Sequence, residues 1–179
     1  MKSQPIAELI ILGGCKGVGK TSLAKEYCSQ AGATYKHPGD WFDTYLHIID
    51  NQQIEYLAVQ DALAAPPPVL LDLHYSVYVK PFGWVRGLGD DGLKIVGQHY
   101  SSVALYLMES DVQAVYLRRV GDVHNKKRRL EKEIIVEDLR RNEEAFWHFV
   151  QALAPHTRVT AQKIVHRTLE ESVRKLLGE

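Results

Sequence analysis

The segment Gly14-Cys15-Lys16-Gly17-Val18-Gly19-Lys20-Thr21 has the spacing G-x-x-x-x-G-K-[ST]. Glycines at those places let successive backbone N–H groups turn inward around phosphate oxygens. The apolar run Leu9-Ile10-Ile11-Leu12 precedes it, and a helical pattern with Leu23, Ala24 and Tyr27 follows. The start of that helix adds partial positive charge at the same point. Lys20 is placed to reach β- and γ-phosphates, and the Thr21 hydroxyl to ligate Mg²⁺. Gly14, Lys16, Gly17, Val18, Gly19, Lys20, Thr21 and Ser22 are therefore the expected contacts of a nucleoside triphosphate such as ATP. Asp72, in the apolar run Val69-Leu70-Leu71-Asp72-Leu73, is the carboxylate expected in the Mg²⁺ shell. His74 follows two residues on and falls on the same side of the strand. Arg118 and Arg119 close a helical stretch and suit charge developing on a transferred phosphoryl group. With Lys20 and Asp72 they make the expected catalytic set.

The elements that must position these groups alternate. A strand over Glu8 to Leu12 leads to a helix over Lys20 to Ala31, stopped by Gly32. A short strand, Thr34 to Lys36, precedes a helix capped by Asp40 that places Trp41, Phe42, Tyr45, Leu46 and Ile49 on one face. A further helix, Gln53 to Ala64, ends before Pro66-Pro67-Pro68. The Asp72 strand follows, then a Gly- and aromatic-rich loop over Lys80 to Gly92. A helix from Gly92 to Tyr100, a strand from Val103 to Met108 and a helix from Asp111 to Val120 come next. The long helix Ile134 to Leu153 carries Ile135, Leu139, Asn142, Phe146, Phe149 and Leu153 at spacings of three and four. A short strand near Arg158 to Thr160 and a helix with a Thr168 capping box complete the pattern. Such alternation means a parallel sheet with helices on both faces, which binds ligands at the carboxyl ends of its strands.

The bulk numbers exclude little. The 179 residues fit one α/β domain, and 22 basic against 22 acidic residues give no global field toward nucleic acid. Cys15 and Cys28 are on the order of 12 Å apart along a helix, beyond the about 7 Å a disulfide allows. Free thiols, no signal-like apolar region near Met1 and no run of ~20 apolar residues point to a cytoplasmic protein without a membrane partner.

Gly17-Val18-Gly19-Lys20-Thr21, Gly39-Asp40 and Leu71-Asp72-Leu73-His74 resemble the archaeal type of adenylate kinase. So do Glu109-Ser110-Asp111 and Arg118-Arg119. The resemblance runs in order along nearly the whole chain. It implies a three-layer phosphate-loop NTPase fold with a five-stranded core and an acceptor flap over about 37–65. It also implies a lid over about 121–133, containing Lys126-Lys127-Arg128-Arg129. Phosphoryl transfer independently calls for cations that close over the γ-phosphate. Arg140 and Arg141 face that lid from the long helix.

The chain departs from the family between His37 and Val79, where no Lys or Arg occurs. A monophosphate acceptor needs charge-assisted partners. The flap offers Trp41, Phe42, Tyr45, His47 and Tyr56 instead. Asp40, His74, Arg86 and Arg141 are the expected acceptor contacts. Two acceptors stay open: an AMP-like nucleotide held by Arg86 and the arginines after the lid, which is favoured, or an uncharged hydroxyl activated by Asp40, Asp43 or Asp72. A third reading is an ATPase switch whose basic lid contacts RNA or a protein partner. The donor base is expected near Thr160 to Lys163.

Overall fold

The computed structural model describes residues 7–45, 48, 50–122 and 129–178. Three of the expected elements fall where the pattern puts them. Strand β1 (Leu9–Gly13), helix α1 (Lys20–Ala31), β2 (Thr34–Lys36) and β3 (Val69–Leu73) follow the motif and its flanks, with β1 shifted by one residue. Between β2 and β3 lie α2 (Gly39–Tyr45) and α3 (Asn51–Leu63). After β3 come β4 (Ser76–Val79), β5 (Gly83–Arg86), α4 (Asp90–His99) and β6 (Ser102–Glu109). Helices α5 (Val112–Gly121) and α6 (Lys132–Leu153), strand β7 (Arg158–Val165) and helix α7 (Leu169–Leu177) complete the order.

The main sheet has the order β2-β3-β1-β6-β7, and every pairing in it is parallel. Its central strands read as unbroken apolar runs because they are covered on both faces. Leu9, Ile11, Leu71, Leu105 and Leu107 pack with Val59, Leu93, Val96, Phe146, Phe149 and Leu153 of α3, α4 and α6. The alternate residues, Ile10, Leu12, Leu70, Ala104 and Met108, pack with Leu23, Ala24, Tyr27, Val115, Val173 and Leu176 of α1, α5 and α7. Each fully buried Leu or Phe contributes about 1.5–3 kcal/mol relative to exposure. No described helix is long and apolar enough to cross a membrane.

Several expectations are corrected. Asp40 is not an N-cap: α2 begins at Gly39, so Asp40 lies in its first turn, where its charge meets the helix dipole. The real cap nearby is Asp50, which accepts from the Gln53 N–H at 2.9 Å and starts α3 two residues early. Helix α2 ends at Tyr45; Leu46, His47 and Ile49 lie outside the described residues. Strand β7 runs to Val165 because eight backbone pairings with β6 hold it, although most of its side chains are exposed. The stretch read as a loop after β3 contains an antiparallel hairpin, with Ser76 opposite Arg86 and Val79 opposite Gly83. Val77, Val79 and Val85 are the β-branched residues that could have shown it. Of the expected lid, residues 123–128 lie outside the described residues; Arg129 and Leu130 are exposed ahead of α6.

Asn142, the polar residue on the apolar stripe of α6, fastens the hairpin. It is 1% exposed. Its Oδ1 accepts from Ser76 N–H at 3.1 Å, and its Nδ2 donates to the Ser76 carbonyl at 2.9 Å and the Asp138 carbonyl at 2.8 Å. One side chain thus serves both backbone groups of Ser76, as a neighbouring strand would. Asn142→Leu leaves both without partners, and is expected to cost about 2 kcal/mol. Urea unfolding checks this, and an unchanged midpoint would contradict the role.

Candidate active site

The loop between β1 and α1 sits at the carboxyl end of the central strand, flanked by β3 and β6. Gly17 and Gly19 adopt φ of 86° and 104°, a region that a side chain would disfavour. Gly19 ends in a left-handed conformation just before α1 and takes no side-chain cap, so the first-turn amides point toward the loop mouth. Val18 is fully buried and anchors the loop to the core, while Lys16, Thr21 and Ser22 are exposed on its outer rim.

Four of the expected residues converge. Lys20 Nζ donates to the carbonyls of Gly14 at 2.8 Å and Cys15 at 3.0 Å, so its charge lies within the loop. Thr21 Oγ1 donates to Asp72 Oδ2 at 2.7 Å. His74 Nδ1 lies 2.8 Å from the Gly14 carbonyl and 3.2 Å from Lys20 Nζ. A carbonyl can only accept, so Nδ1 carries the proton and Nε2 holds the free lone pair. Burial, and then the Lys20 charge, hold His74 well below its ordinary value, so the ring is neutral.

Two residues missed in the sequence complete this cluster. Tyr35 OH donates to the same Asp72 Oδ2 at 3.0 Å, and His37 Nδ1 donates to the Asp72 carbonyl at 2.8 Å. Both come from the end of β2, which pairs with β3. That neighbour relation is the signal that could have found them. Burial and the Asp72 charge push the Tyr35 phenol upward, and Asp40 adds to the same field.

Among buried side-chain atoms of the described residues, Asp72 Oδ1 has no hydrogen-bond partner. A carboxylate oxygen in that state is costly unless a cation or its water shell meets it. Thr21 gives its single proton to Asp72, which leaves the hydroxyl lone pairs for a ligand. One carboxylate and one hydroxyl suit Mg²⁺, which keeps several waters and takes its other ligands from phosphates. Among the described residues no group of three or more His, Cys, Asp or Glu could hold a metal by itself.

The remaining expected residues are engaged elsewhere. Arg118 Nη1 reaches Ser110 Oγ at 3.1 Å and the Val18 carbonyl at 3.4 Å, beside the loop. Arg119 is buried and forms an ion pair with Asp138 at 2.7 Å. Arg86 pairs with Asp90 at 3.2 Å and with His148 on the surface. Arg141 pairs with Glu137 at 2.7 Å, and together with Arg140 it lowers that carboxylate to about 2. The residues expected near the donor base, Thr160 to Lys163, lie inside β7. It is His166, beyond the end of β7, that packs on the loop: a Cβ on Gly19 would sit 3.1 Å from its Nε2. Cys15 and Cys28 are both free thiols.

The His74 geometry has a consequence for stability. Its folded value lies below the ordinary 6.5, so the unfolded chain takes up the proton first as pH falls. The stability is full above 6.5 and is lost as pH drops below that value toward the folded one. His74→Gln is expected to flatten this slope, measured as urea midpoints about one unit above and one unit below the ordinary value. Equal slopes in both proteins would contradict it.

Compared by sequence, the chain matches no family model and no curated protein. Compared by structure, it resembles a gluconokinase from Sinorhizobium meliloti 1021, with TM-score 0.58 and 12% identity over 98% of this chain and 92% of that one. It resembles a shikimate kinase from Aquifex aeolicus, with TM-score 0.58 and 14% identity over 94% of each chain. It also resembles the YorR protein from Bacillus subtilis in complex with phosphorylated GDP, with TM-score 0.67 and 15% identity over 95% of this chain and 94% of that one. What these chains share at such identity is architecture. The strand order, the glycine loop after β1 and the flanking helices make this chain a three-layer, five-stranded phosphate-loop fold of the kind on which that gluconokinase and that shikimate kinase are built.

Proposed function

We propose that this chain is a Mg²⁺- and ATP-dependent phosphotransferase that moves the γ-phosphoryl group to a hydroxyl of a small acceptor. The observation that carries the reading is the Thr21–Asp72 contact of 2.7 Å, with the second carboxylate oxygen buried and unpartnered. The loop amides and Lys20 hold the phosphates, and Arg118 stands beside the loop on the far side. Thr21 and Asp72 would hold Mg²⁺ or its water shell, and the ion would offset the charge that develops on the phosphates. The acceptor hydroxyl oxygen attacks the γ-phosphorus, the bond from that phosphorus to the bridging oxygen breaks, and ADP leaves. Asp40, exposed in the first turn of α2, is the carboxylate assigned to take the hydroxyl proton. Asp72 serves less well as that base, because Thr21 and Tyr35 already donate to its Oδ2 and its Oδ1 is the oxygen left for Mg²⁺ or its water shell.

The hydroxyl reading rests on the state of the cations. Between His37 and Val79 there is no Lys or Arg, and Arg86 and Arg141, the expected phosphate holders, are both paired with carboxylates. Gluconokinase and shikimate kinase, among the structural likenesses, are named for acceptors other than nucleotides. The AMP-like acceptor of the adenylate kinase type is the second reading. The YorR structure with phosphorylated GDP favours a nucleotide in such a fold.

An acceptor screen tests these readings. Purified protein with Mg-ATP is offered polyols, sugar acids, nucleosides and nucleoside monophosphates, and ADP and phosphorylated product are measured. Turnover with an uncharged or non-phosphorylated acceptor supports the first reading. Turnover confined to monophosphates supports the second. Hydrolysis that no small acceptor raises, but that RNA or a protein stimulates, points to a switch instead.

A further inference from the structure

Arg119 was expected among the catalytic residues, yet its guanidinium is 4% exposed and committed to three separate segments. Nε donates to the Lys16 carbonyl in the phosphate loop at 2.9 Å. Nη1 donates to the Arg129 carbonyl at 2.9 Å, and Nη2 to Asp138 Oδ2 on α6 at 2.7 Å. Its stem lies against the loop as well: a Cβ on Gly17 would come 2.9 Å from Arg119 Cγ. The guanidinium is planar and rigid, so these three bonds share one orientation. A rotation of the Lys16 peptide therefore shifts the hold on Arg129.

Arg129 continues the path. Its guanidinium carbon lies 4.8 Å over the Tyr78 ring, within range of a cation–π contact. Tyr78 meets Trp84 edge-on at 5.6 Å and 74° within the β4–β5 hairpin. Packed and hydrogen-bonded contacts thus run without a break from the Lys16 carbonyl through Arg119 and Arg129 to Tyr78 and Trp84.

We propose that Arg119 is a positioning residue that couples the phosphate loop to the β4–β5 hairpin through Arg129, so that nucleotide binding is felt at Trp84. The hairpin begins at Ser76, two residues after His74, so its first strand is close in the chain to Asp72 and His74. This inference rests on the reading of the loop as a nucleotide site and adds a link between the two substrates. Coupling of this kind needs a measured response at both ends.

The chain has three tryptophans, so Trp41→Phe with Trp147→Phe leaves Trp84 as the sole indole. This protein is titrated with Mg-ADP, following binding by calorimetry and Trp84 emission in parallel. The emission is expected to shift in step with binding. Tyr78→Leu should lose the shift while ADP still binds, and Tyr78→Phe, which keeps the ring face, should retain it. Arg119→Lys, which keeps the charge without the fork, should lose it too. Tyr78 is 38% exposed, so its variants test the link even if the buried Arg119 variant does not fold. Trp84 emission that stays silent while ADP binds, or a shift that survives Tyr78→Leu, overturns the coupling. ADP that fails to bind at all overturns the nucleotide reading and the coupling with it.

Discussion

Lys20→Ala is expected to lower phosphoryl transfer by about 10²–10³-fold, the scale seen when one preorganised donor to developing charge is removed. Lys20 is 6% exposed, and its ammonium donates to the Gly14 and Cys15 carbonyls. A positive charge in such surroundings acts more strongly on phosphate oxygens than it would in solvent. Arginine is a poor replacement, because its fork offers a plane in place of a point charge. The measurement is ADP release with the acceptor found by screening, backed by calorimetry of nucleotide binding. Wild-type turnover in Lys20→Ala would refute the assignment of the loop. The same variant carries an internal control. Lys20 is the second cause of the depressed His74 value, after burial. Removing it should therefore raise the His74 midpoint in an NMR titration without restoring it to 6.5.

Gly87→Ala is expected to destabilise the fold by about 3 kcal/mol, the upper part of the range for forcing atoms into a packed region. A Cβ at Gly87 would lie 2.0 Å from the His74 carbonyl oxygen and 3.3 Å from Leu73 Cδ1. The obstacle is backbone, so no rotamer change relieves it. The carbonyl in question belongs to the residue that closes on Lys20, and the Gly87 N–H donates to the next carbonyl, Tyr75, at 3.1 Å. Separating the two strands of chain here would drag Asp72 and His74 out of register with the loop. Turnover should fall together with stability. Gly121→Ala is the matching control, since its methyl would meet no described atom within 4 Å. A Gly87→Ala protein as stable as Gly121→Ala would show that the chain crossing can relax.

Local rules made the glycine loop and its flanking elements legible. The glycine spacing, the apolar strand before it and the helix after it all act within a few residues, so Lys20, Thr21 and the bounds of α1 follow from sequence. Asp72 was also legible, because a fully buried strand ending in a carboxylate is conspicuous. Arg119 was not. Its type and position suggested a phosphate ligand, but its partners Lys16, Arg129 and Asp138 are brought together only by the packing of α5 on the loop and α6. Strand β7 was cut short because polar residues such as Gln162 and Lys163 sit on an edge held by backbone pairing rather than side-chain burial. The hairpin was taken for a loop because glycines and aromatics there mask a pairing that involves two short strands alone. Tyr35 and His37 needed the knowledge that β2 lies beside β3.

Strands β4 and β5 pair with each other in a sheet of their own, leaving the five-stranded sheet unbroken. A single amide side chain, Asn142, grips its first residue from outside. Beyond that grip, the hairpin is held by the Arg129–Tyr78 contact and by the close crossing of Gly87 over the His74 carbonyl, not by the main sheet. A change in the hairpin's tilt therefore breaks no hydrogen bond of the ladder that positions the phosphate loop.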